Sequence, residues 1–285
     1  MKMSSPSQLK ALIKNKSKEF GIAGNVTLHM YVMERFLDRL SRSDYRERFV
    51  LKGGYLLYSK KGMSRRTTED LDLTSKTLTL EKEEILPVIQ EICAIDADDV
   101  FAMEVIRTTP VAEMLDHPGI RFFIDAKYEK LTERFYIDVV PSLEIVPEEV
   151  DHFIMPLFGG VPISIRAYRI ETVIAEKLHA MLTRGDENTR MRDYYDFYIL
   201  EHEREYDDMA VASATRHIFE ERGTVQNLKD WMQILQSVRG SPVMQSLWTR
   251  YQQGHVYAGE ITFEDACDSA ERLLTMITAD TPGEL

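Results

Sequence analysis

Cysteine is scarce in this sequence, long apolar runs are missing, and each absence excludes a class of protein. Only two of the 285 residues are cysteines, which excludes a disulfide-stabilised framework and a cysteine-rich zinc site. No uninterrupted apolar run approaches the roughly 18 residues that a membrane-spanning helix needs. Residues 1–20 contain no apolar stretch typical of a signal peptide. We therefore expect a cytoplasmic protein without a membrane partner.

The chain also lacks an excess of positive charge. Asp and Glu together number 47 and Lys and Arg 35, so the formal net charge is −12. A protein of this charge is not a general electrostatic binder of nucleic acids or anionic membranes. If the protein acts on RNA, the contact must come from a local basic patch. The hydrophobic fraction of 44% and the charged fraction of 29% are typical of a folded, water-soluble protein.

Hydrophobic periodicity divides the chain into two parts. Residues 1–145 combine amphipathic helices with short apolar strands, and residues 1–25 of this part are predicted to form a short helix or a loose arm. Residues 146–168 are rich in proline and glycine, which predicts a connection. Residues 169–285 contain successive amphipathic helices. We therefore predict an α+β protein, in which a mixed β-sheet flanked by helices precedes a C-terminal helical bundle, with the active-site cleft between them.

The segment 49–73 combines several features that suit an anionic ligand and a metal ion. An apolar strand ends in Gly53-Gly54, and a short helix, a basic loop and the sequence Asp70-Leu71-Asp72-Leu73 follow. Strand alternation places the two aspartates on one face, where they suit a hard divalent cation such as Mg²⁺. Glycines before a helix let backbone N–H groups approach phosphate oxygens. Each feature alone is weakly specific, but their order within one segment predicts a phosphate site beside a metal.

This order resembles the nucleotidyltransferase superfamily with the DNA polymerase β-like fold, and more closely the AbiEii/AbiGii toxin family, which includes the MenT-type toxins. The matching motifs are Lys-Gly-Gly at residues 52–54 and Arg-x-Thr-x-Asp-Leu-Asp-Leu at residues 66–73, and the resemblance covers residues 30–200. It implies that Asp70 and Asp72 are catalytic metal ligands. It also implies nucleotide binding by a set of five residues, namely Lys52, Gly53, Gly54, Arg66 and Thr68.

The resemblance further implies a third carboxylate on a later strand. Asp138 in RFYIDVV and Asp125 in FFIDAKY both lie in predicted strands, and the strand pattern leaves the choice open. The resemblance favours Asp138, because it lies on the final strand of the expected catalytic sheet. With Asp70 and Asp72 it would bind one or two Mg²⁺ ions, for which Mn²⁺ could substitute.

A second pair of motifs lies on two predicted helices. Lys177 and Arg184 are seven residues apart and share a helix face, and Asp193 and Asp196 share a face of the next helix. Similar motifs in the family imply that Lys177 and Arg184 bind the triphosphate, with Asp193 at the catalytic site and Asp196 assisting. The alternatives are a surface lysine at position 177 and a surface salt bridge between Arg192 and Asp196.

The resemblance implies a Mg²⁺-dependent nucleotidyltransferase toxin of a bacterial toxin–antitoxin or abortive-infection system. Such a toxin would transfer a nucleoside monophosphate from an NTP to RNA, at the 3′ end of tRNA, and thereby block translation. Its antitoxin would be a winged-helix repressor that is encoded alongside and need not bind the toxin. Two alternatives stay open. One is transfer to a protein hydroxyl, which an acidic surface suits, and the other is a nucleotide-binding regulator without turnover.

Overall fold

The structure is a computed structural model that describes residues 5–76, 81–111, 119–142 and 144–279. The chain forms two compact units. The sheet unit comprises the chain up to Ile145 together with Glu149–Tyr168, and the helical unit comprises Val146–Glu148 and the chain from Arg169 onward. Among the residues that the structure describes, no helix is long and apolar enough to cross a membrane.

The sheet unit is built on one mixed β-sheet. Its helices and strands have these bounds: α1 Pro6–Phe20, α2 Gly24–Arg42, β1 Phe49–Lys52, α3 Gly53–Lys61, β2 Asp70–Ser75, α4 Lys82–Ala94, β3 Ala102–Val111, β4 Gly119–Tyr128, β5 Leu131–Pro141, β6 Val150–Ile154 and β7 Ile163–Ala167. The strand order is β3-β4-β5-β2-β1-β7-β6. β2 is parallel to β5 and β1 is parallel to β7, whereas the other neighbours are antiparallel.

The segment 1–25, predicted as a short helix or an arm, contains helix α1. The side chain of Ser5 caps the helix by accepting a hydrogen bond from the backbone N–H of Gln8, and Pro6 occupies the first turn, where its missing N–H costs nothing. Gly21 ends the helix in a left-handed conformation with φ of 67°. Local capping residues therefore define both ends of this element.

Residues 146–168 differ from the predicted connection, because they contain strands β6 and β7. In β7 the buried residues Ile163, Ile165 and Ala167 alternate with half-buried ones, as expected for a strand with one face on the core. The prolines and glycines of the segment lie outside both strands. Because these residues are abundant in the loops around two strands of only five residues each, the composition of the segment predicted a connection and not strands.

Strand alternation in β5 separates a core face from a polar face. Phe135 and Ile137 are fully buried, and Phe135 meets Phe36 of α2 edge to face, with ring centroids 6.1 Å apart. Because successive side chains in a strand point to opposite sides, Tyr136 and Asp138 lie on the sheet face opposite to α2. The packing of α2 thus determines which face of the sheet carries the polar residues.

The helical unit contains the second half of the chain. Its helices have these bounds: α5 Ile170–Arg184, α6 Met191–Glu203, α7 Asp208–Glu221, α8 Val225–Lys229, α9 Trp231–Gly240, α10 Pro242–Gly254 and α11 Phe263–Ala279. Helices α5 and α7 approach closely through Ala175, Ala214 and Ile218, all buried. The predicted fold class, a mixed sheet flanked by helices and followed by helices, is confirmed. The predicted cleft stays a prediction.

Candidate active site

Three carboxylates meet on the polar face of the sheet. The parallel register of β2 and β5 pairs Asp72 with Asp138, and one oxygen each of Asp70, Asp72 and Asp138 lies within 4.8 Å of the others. Asp125, the other candidate, lies outside this group, and its carboxylate accepts hydrogen bonds of 2.7 and 3.1 Å from Arg134. The geometry therefore brings Asp138, and not Asp125, to the two aspartates of β2.

The chemistry of this group fits a divalent cation. Hard cations such as Mg²⁺ prefer carboxylate oxygens, and two oxygens on opposite sides of Mg²⁺ lie about 4.2 Å apart. The oxygens here lie within 4.8 Å, so small side-chain shifts would complete the coordination. Three neighbouring carboxylates also repel one another, and a bound cation would relieve this repulsion. The group could therefore hold a divalent metal ion.

The two glycines are required by the close approach of α3 to the carboxylates. Gly53 has a φ of 64°, and a Cβ atom there would lie 2.0 Å from Oδ2 of Asp72. A Cβ atom at Gly54 would lie 2.5 Å from Oγ1 of Thr68. The Thr68 hydroxyl in turn donates a hydrogen bond of 3.0 Å to Oδ1 of Asp70. Both glycines thus place the first turn of α3 against the residues that could hold the metal.

We expect Gly53→Ala to lower the free energy of unfolding of the sheet unit by about 2–4 kcal/mol. The new methyl group would collide with the Asp72 carboxylate, and the left-handed backbone would add strain. Urea denaturation of both proteins measures this loss. Gly21→Ala is the matched control, since Gly21 has a φ of 67° but no atom within 4 Å of its Cβ position. Equal losses in the two variants would contradict the steric argument.

Two basic residues that were predicted to bind phosphate are buried in the sheet unit. Arg66 is 1% exposed, and its Nη1 donates to the carbonyl oxygen of Thr67. Its backbone N–H donates to the carbonyl oxygen of Gly62 at 3.1 Å. Arg66 therefore stabilises the loop between α3 and β2. Lys52 is also buried, with Nζ 5.8 Å from the ring centroid of Tyr168. Phosphate binding by Arg66 or Lys52 stays a prediction.

Arg121 is a site residue that the sequence analysis missed. It lies on β4 opposite Asp138, and its Nε and Nη2 donate to the two carboxylate oxygens at 2.6 and 2.7 Å. The hydrogen bond to Asp138 raises the pKa of Arg121 further above its ordinary value, so the guanidinium stays charged. The signal in the sequence was the two-residue turn at positions 129–130, because it defines the hairpin register that pairs these residues.

Arg121→Gln is expected to tighten binding of Mn²⁺ by about three- to tenfold, because the guanidinium and the cation compete for the oxygens of Asp138. Electron paramagnetic resonance of free Mn²⁺ measures the dissociation constant directly. Arg134→Gln is the matched control, since Arg134 forms the same kind of bidentate salt bridge, with Asp125, between the same two strands. Weaker Mn²⁺ binding in Arg121→Gln would show instead that Arg121 holds Asp138 in its metal-binding position.

The helical unit contains a buried group of opposite charges. Nζ of Lys177 on α5 contacts Asp193 and Asp196 of α6, with a distance of 2.8 Å to Oδ2 of Asp196. The three residues are 9%, 7% and 2% exposed, respectively. Lys177 is therefore not a surface lysine, and Asp196 is too deeply buried for a surface salt bridge. Arg184, the last residue of α5, is half-buried.

Comparisons with known proteins identify a family for this chain and solved structures of similar fold. A family profile described as nucleotidyl transferase AbiEii toxin, type IV toxin–antitoxin system, matches residues 35–269. A comparison with curated proteins finds no match.

Two solved structures from Helicobacter pylori are similar in fold. One is described as a nucleotidyltransferase and has a TM-score of 0.52 at 16% identity, covering 91% of this chain and 97% of the other. The second, JHP933, has a TM-score of 0.51 at 16% identity, covering 90% of this chain and 94% of the other. At this identity the likeness shows the shared fold.

Proposed function

We propose that this chain, which belongs to the AbiEii family of nucleotidyl transferase toxins of type IV toxin–antitoxin systems, uses Mg²⁺ to transfer a nucleoside monophosphate from an NTP to the 3′ end of tRNA. Family membership makes the protein a nucleotidyltransferase with a nucleotide substrate and an antitoxin as its partner. The observation that carries the proposal is the group formed by Asp70, Asp72 and Asp138. A nucleotide added to the 3′ end of tRNA would prevent aminoacylation and so stop translation.

In this reaction an acceptor hydroxyl oxygen bonds to the α-phosphorus of the NTP, and the bond from that phosphorus to the bridging oxygen breaks. Pyrophosphate leaves with the electron pair, and the hydroxyl proton is lost. A cation held by Asp70, Asp72 and Asp138 would offset the charge that builds on the leaving pyrophosphate. Asp138 would take the proton or hold a second cation.

Residues around the carboxylates would position the nucleotide. The backbone N–H groups of Gly53 and Gly54 begin α3 beside Asp72, where phosphate oxygens would accept their hydrogen bonds. The hydroxyl of Thr68 holds Asp70 in place through its hydrogen bond. Positioning and charge neutralisation of this kind supply most of the rate enhancement in phosphoryl and nucleotidyl transfer.

In the helical unit, Lys177 and Arg184 would bind oxygens of the triphosphate. Asp193 and Asp196 hold the Lys177 ammonium in one position but also offset its charge. We therefore assign Lys177 a directed hydrogen bond to the nucleotide and Arg184 the larger electrostatic contribution.

A second acceptor, a protein hydroxyl, is favoured by one observation, the net charge of −12, which opposes non-specific RNA binding. A single labelling assay distinguishes the acceptors. The protein is incubated with Mg²⁺, deacylated tRNA and each α-³²P-labelled NTP in turn, beside Asp70→Ala and the control Asp125→Asn. We expect label in tRNA with the unmodified protein and with Asp125→Asn, and none with Asp70→Ala.

Label in the protein band alone would show that the acceptor is a protein hydroxyl and not RNA. Label that persists in tRNA with Asp70→Ala would reject the carboxylate group as the catalytic site. Label in neither band, although the NTP binds in calorimetric titration, would contradict both transfer reactions and leave a binding role.

A further inference from the structure

Aromatic rings and arginines form a row across the sheet next to the carboxylates. Phe123 of β4 lies opposite Tyr136 of β5, with ring centroids 5.9 Å apart. The guanidinium of Arg107 on β3 lies 3.8 Å from the centroid of Phe123, and that of Arg121 lies 4.2 Å from the centroid of Tyr136. We call Arg107, Arg121, Phe123 and Tyr136 the aromatic platform. The row leads to the carboxylates, since Tyr136 is the register partner of Asp70.

The platform does not belong to the hydrophobic core. Phe122 and Phe135, its sequence neighbours, are fully buried on the other face of the sheet, whereas Phe123 and Tyr136 are half-buried. Arg107 is exposed. Aromatic rings and guanidinium planes at a partly exposed position are the groups on which unpaired nucleic-acid bases stack, and guanidinium N–H groups pair with phosphates. The platform therefore has the chemistry of a surface for single-stranded nucleic acid.

We propose that the aromatic platform binds the single-stranded 3′ end of the RNA acceptor, with bases stacked on its rings and guanidinium planes and phosphates paired with Arg107 and Arg121. This proposal rests on the RNA acceptor of the proposed function. Two strand spacings separate Phe123 from Asp70, a distance of about 10 Å. A base stacked on Phe123 therefore lies within about two nucleotides of a 3′ hydroxyl at the carboxylates.

Stacking also explains how a protein with a net charge of −12 would hold RNA. Two phosphate contacts give a slope of log affinity against log salt of only about −1.4 for a single strand. We expect this shallow slope, because base stacking contributes affinity that salt does not screen.

The test is RNA binding without turnover. Fluorescence anisotropy in EDTA measures the dissociation constant of a 5′-fluorescein-labelled single-stranded RNA of about eight nucleotides. We expect Phe123→Leu to weaken binding about tenfold with an unchanged salt slope, and Phe123→Tyr to bind like the unmodified protein. Arg107→Gln should weaken binding and reduce the magnitude of the slope by about 0.7. Thermal unfolding confirms that each variant is folded.

Lys127→Gln is the matched control. Lys127 is exposed, lies on the same face of β4 about 13 Å from Phe123, and pairs with Glu104 at 2.7 Å. Its loss should change the dissociation constant less than about twofold. If Lys127→Gln lowers RNA affinity as much as Arg107→Gln does, binding depends only on general electrostatic attraction, and the proposed role of the platform is wrong.

The two proposals can fail separately. Normal RNA binding by folded Phe123→Leu overturns the platform, and the proposed function stands if tRNA is labelled. If the unmodified protein neither binds the RNA nor labels tRNA, both proposals are overturned.

Discussion

Asp72→Asn is expected to lower the rate of nucleotidyl transfer by at least about a thousandfold while the protein stays folded. An amide has the size of the carboxylate but lacks its charge, and hard cations bind it much more weakly. The substitution also removes one of three like charges within 4.8 Å of one another. Without Mg²⁺ the variant should therefore unfold at the same temperature as the unmodified protein or a higher one. Initial rates of tRNA labelling and thermal unfolding measure the two effects.

The opposite directions of these effects separate catalysis from folding. Asp125→Asn is again the control, because it removes a carboxylate from a neighbouring strand but outside the group. Added Mg²⁺ should raise the unfolding temperature of the unmodified protein and of Asp125→Asn, but not that of Asp72→Asn. Full activity in Asp72→Asn would exclude a role for this carboxylate in metal-dependent transfer.

The predictability of this site from the sequence depended on the sequence separation of its parts. Asp70 and Asp72 share a strand, so alternation alone placed them on one face. Asp138 reaches them through the parallel register of β2 and β5, which no local pattern reports, and the strand pattern had left Asp125 as an alternative. Arg121 was missed for the same reason, since its position follows from the register of the β4–β5 hairpin.

Burial was the second property that local patterns did not report. The family resemblance of their motifs predicted Arg66 and Lys52 as phosphate ligands, and no local pattern indicated that both side chains are buried. For Lys177 the sequence allowed a surface lysine as the alternative. The structure excludes this alternative, because two carboxylates of α6 contact the buried Lys177 ammonium. The residue types were therefore informative about the chemistry, whereas solvent access required the tertiary structure.

The buried charges of the helical unit yield the other large expected effect. Lys177→Met should lower the free energy of unfolding of this unit by about 3–5 kcal/mol, because Asp193 and Asp196 would stay buried without their cation. Urea denaturation measures this loss. A large loss alone does not distinguish a structural lysine from one that also binds the nucleotide, since either role leaves the same two carboxylates uncompensated.

A triple variant separates these roles. Lys177→Met combined with Asp193→Asn and Asp196→Asn removes all three charges and should recover most of the stability, because no uncompensated charge is then buried. If Lys177 binds the nucleotide, calorimetric titration of the triple variant shows weakened NTP binding. An inactive triple variant with unchanged NTP affinity would instead point to Asp193 as the group that catalysis requires. Recovery of activity together with stability would instead make the group purely structural. In that case the phosphate contacts of the helical unit would have to come from Arg184, and Arg184→Gln would then cause the loss of NTP affinity that we assign to both residues.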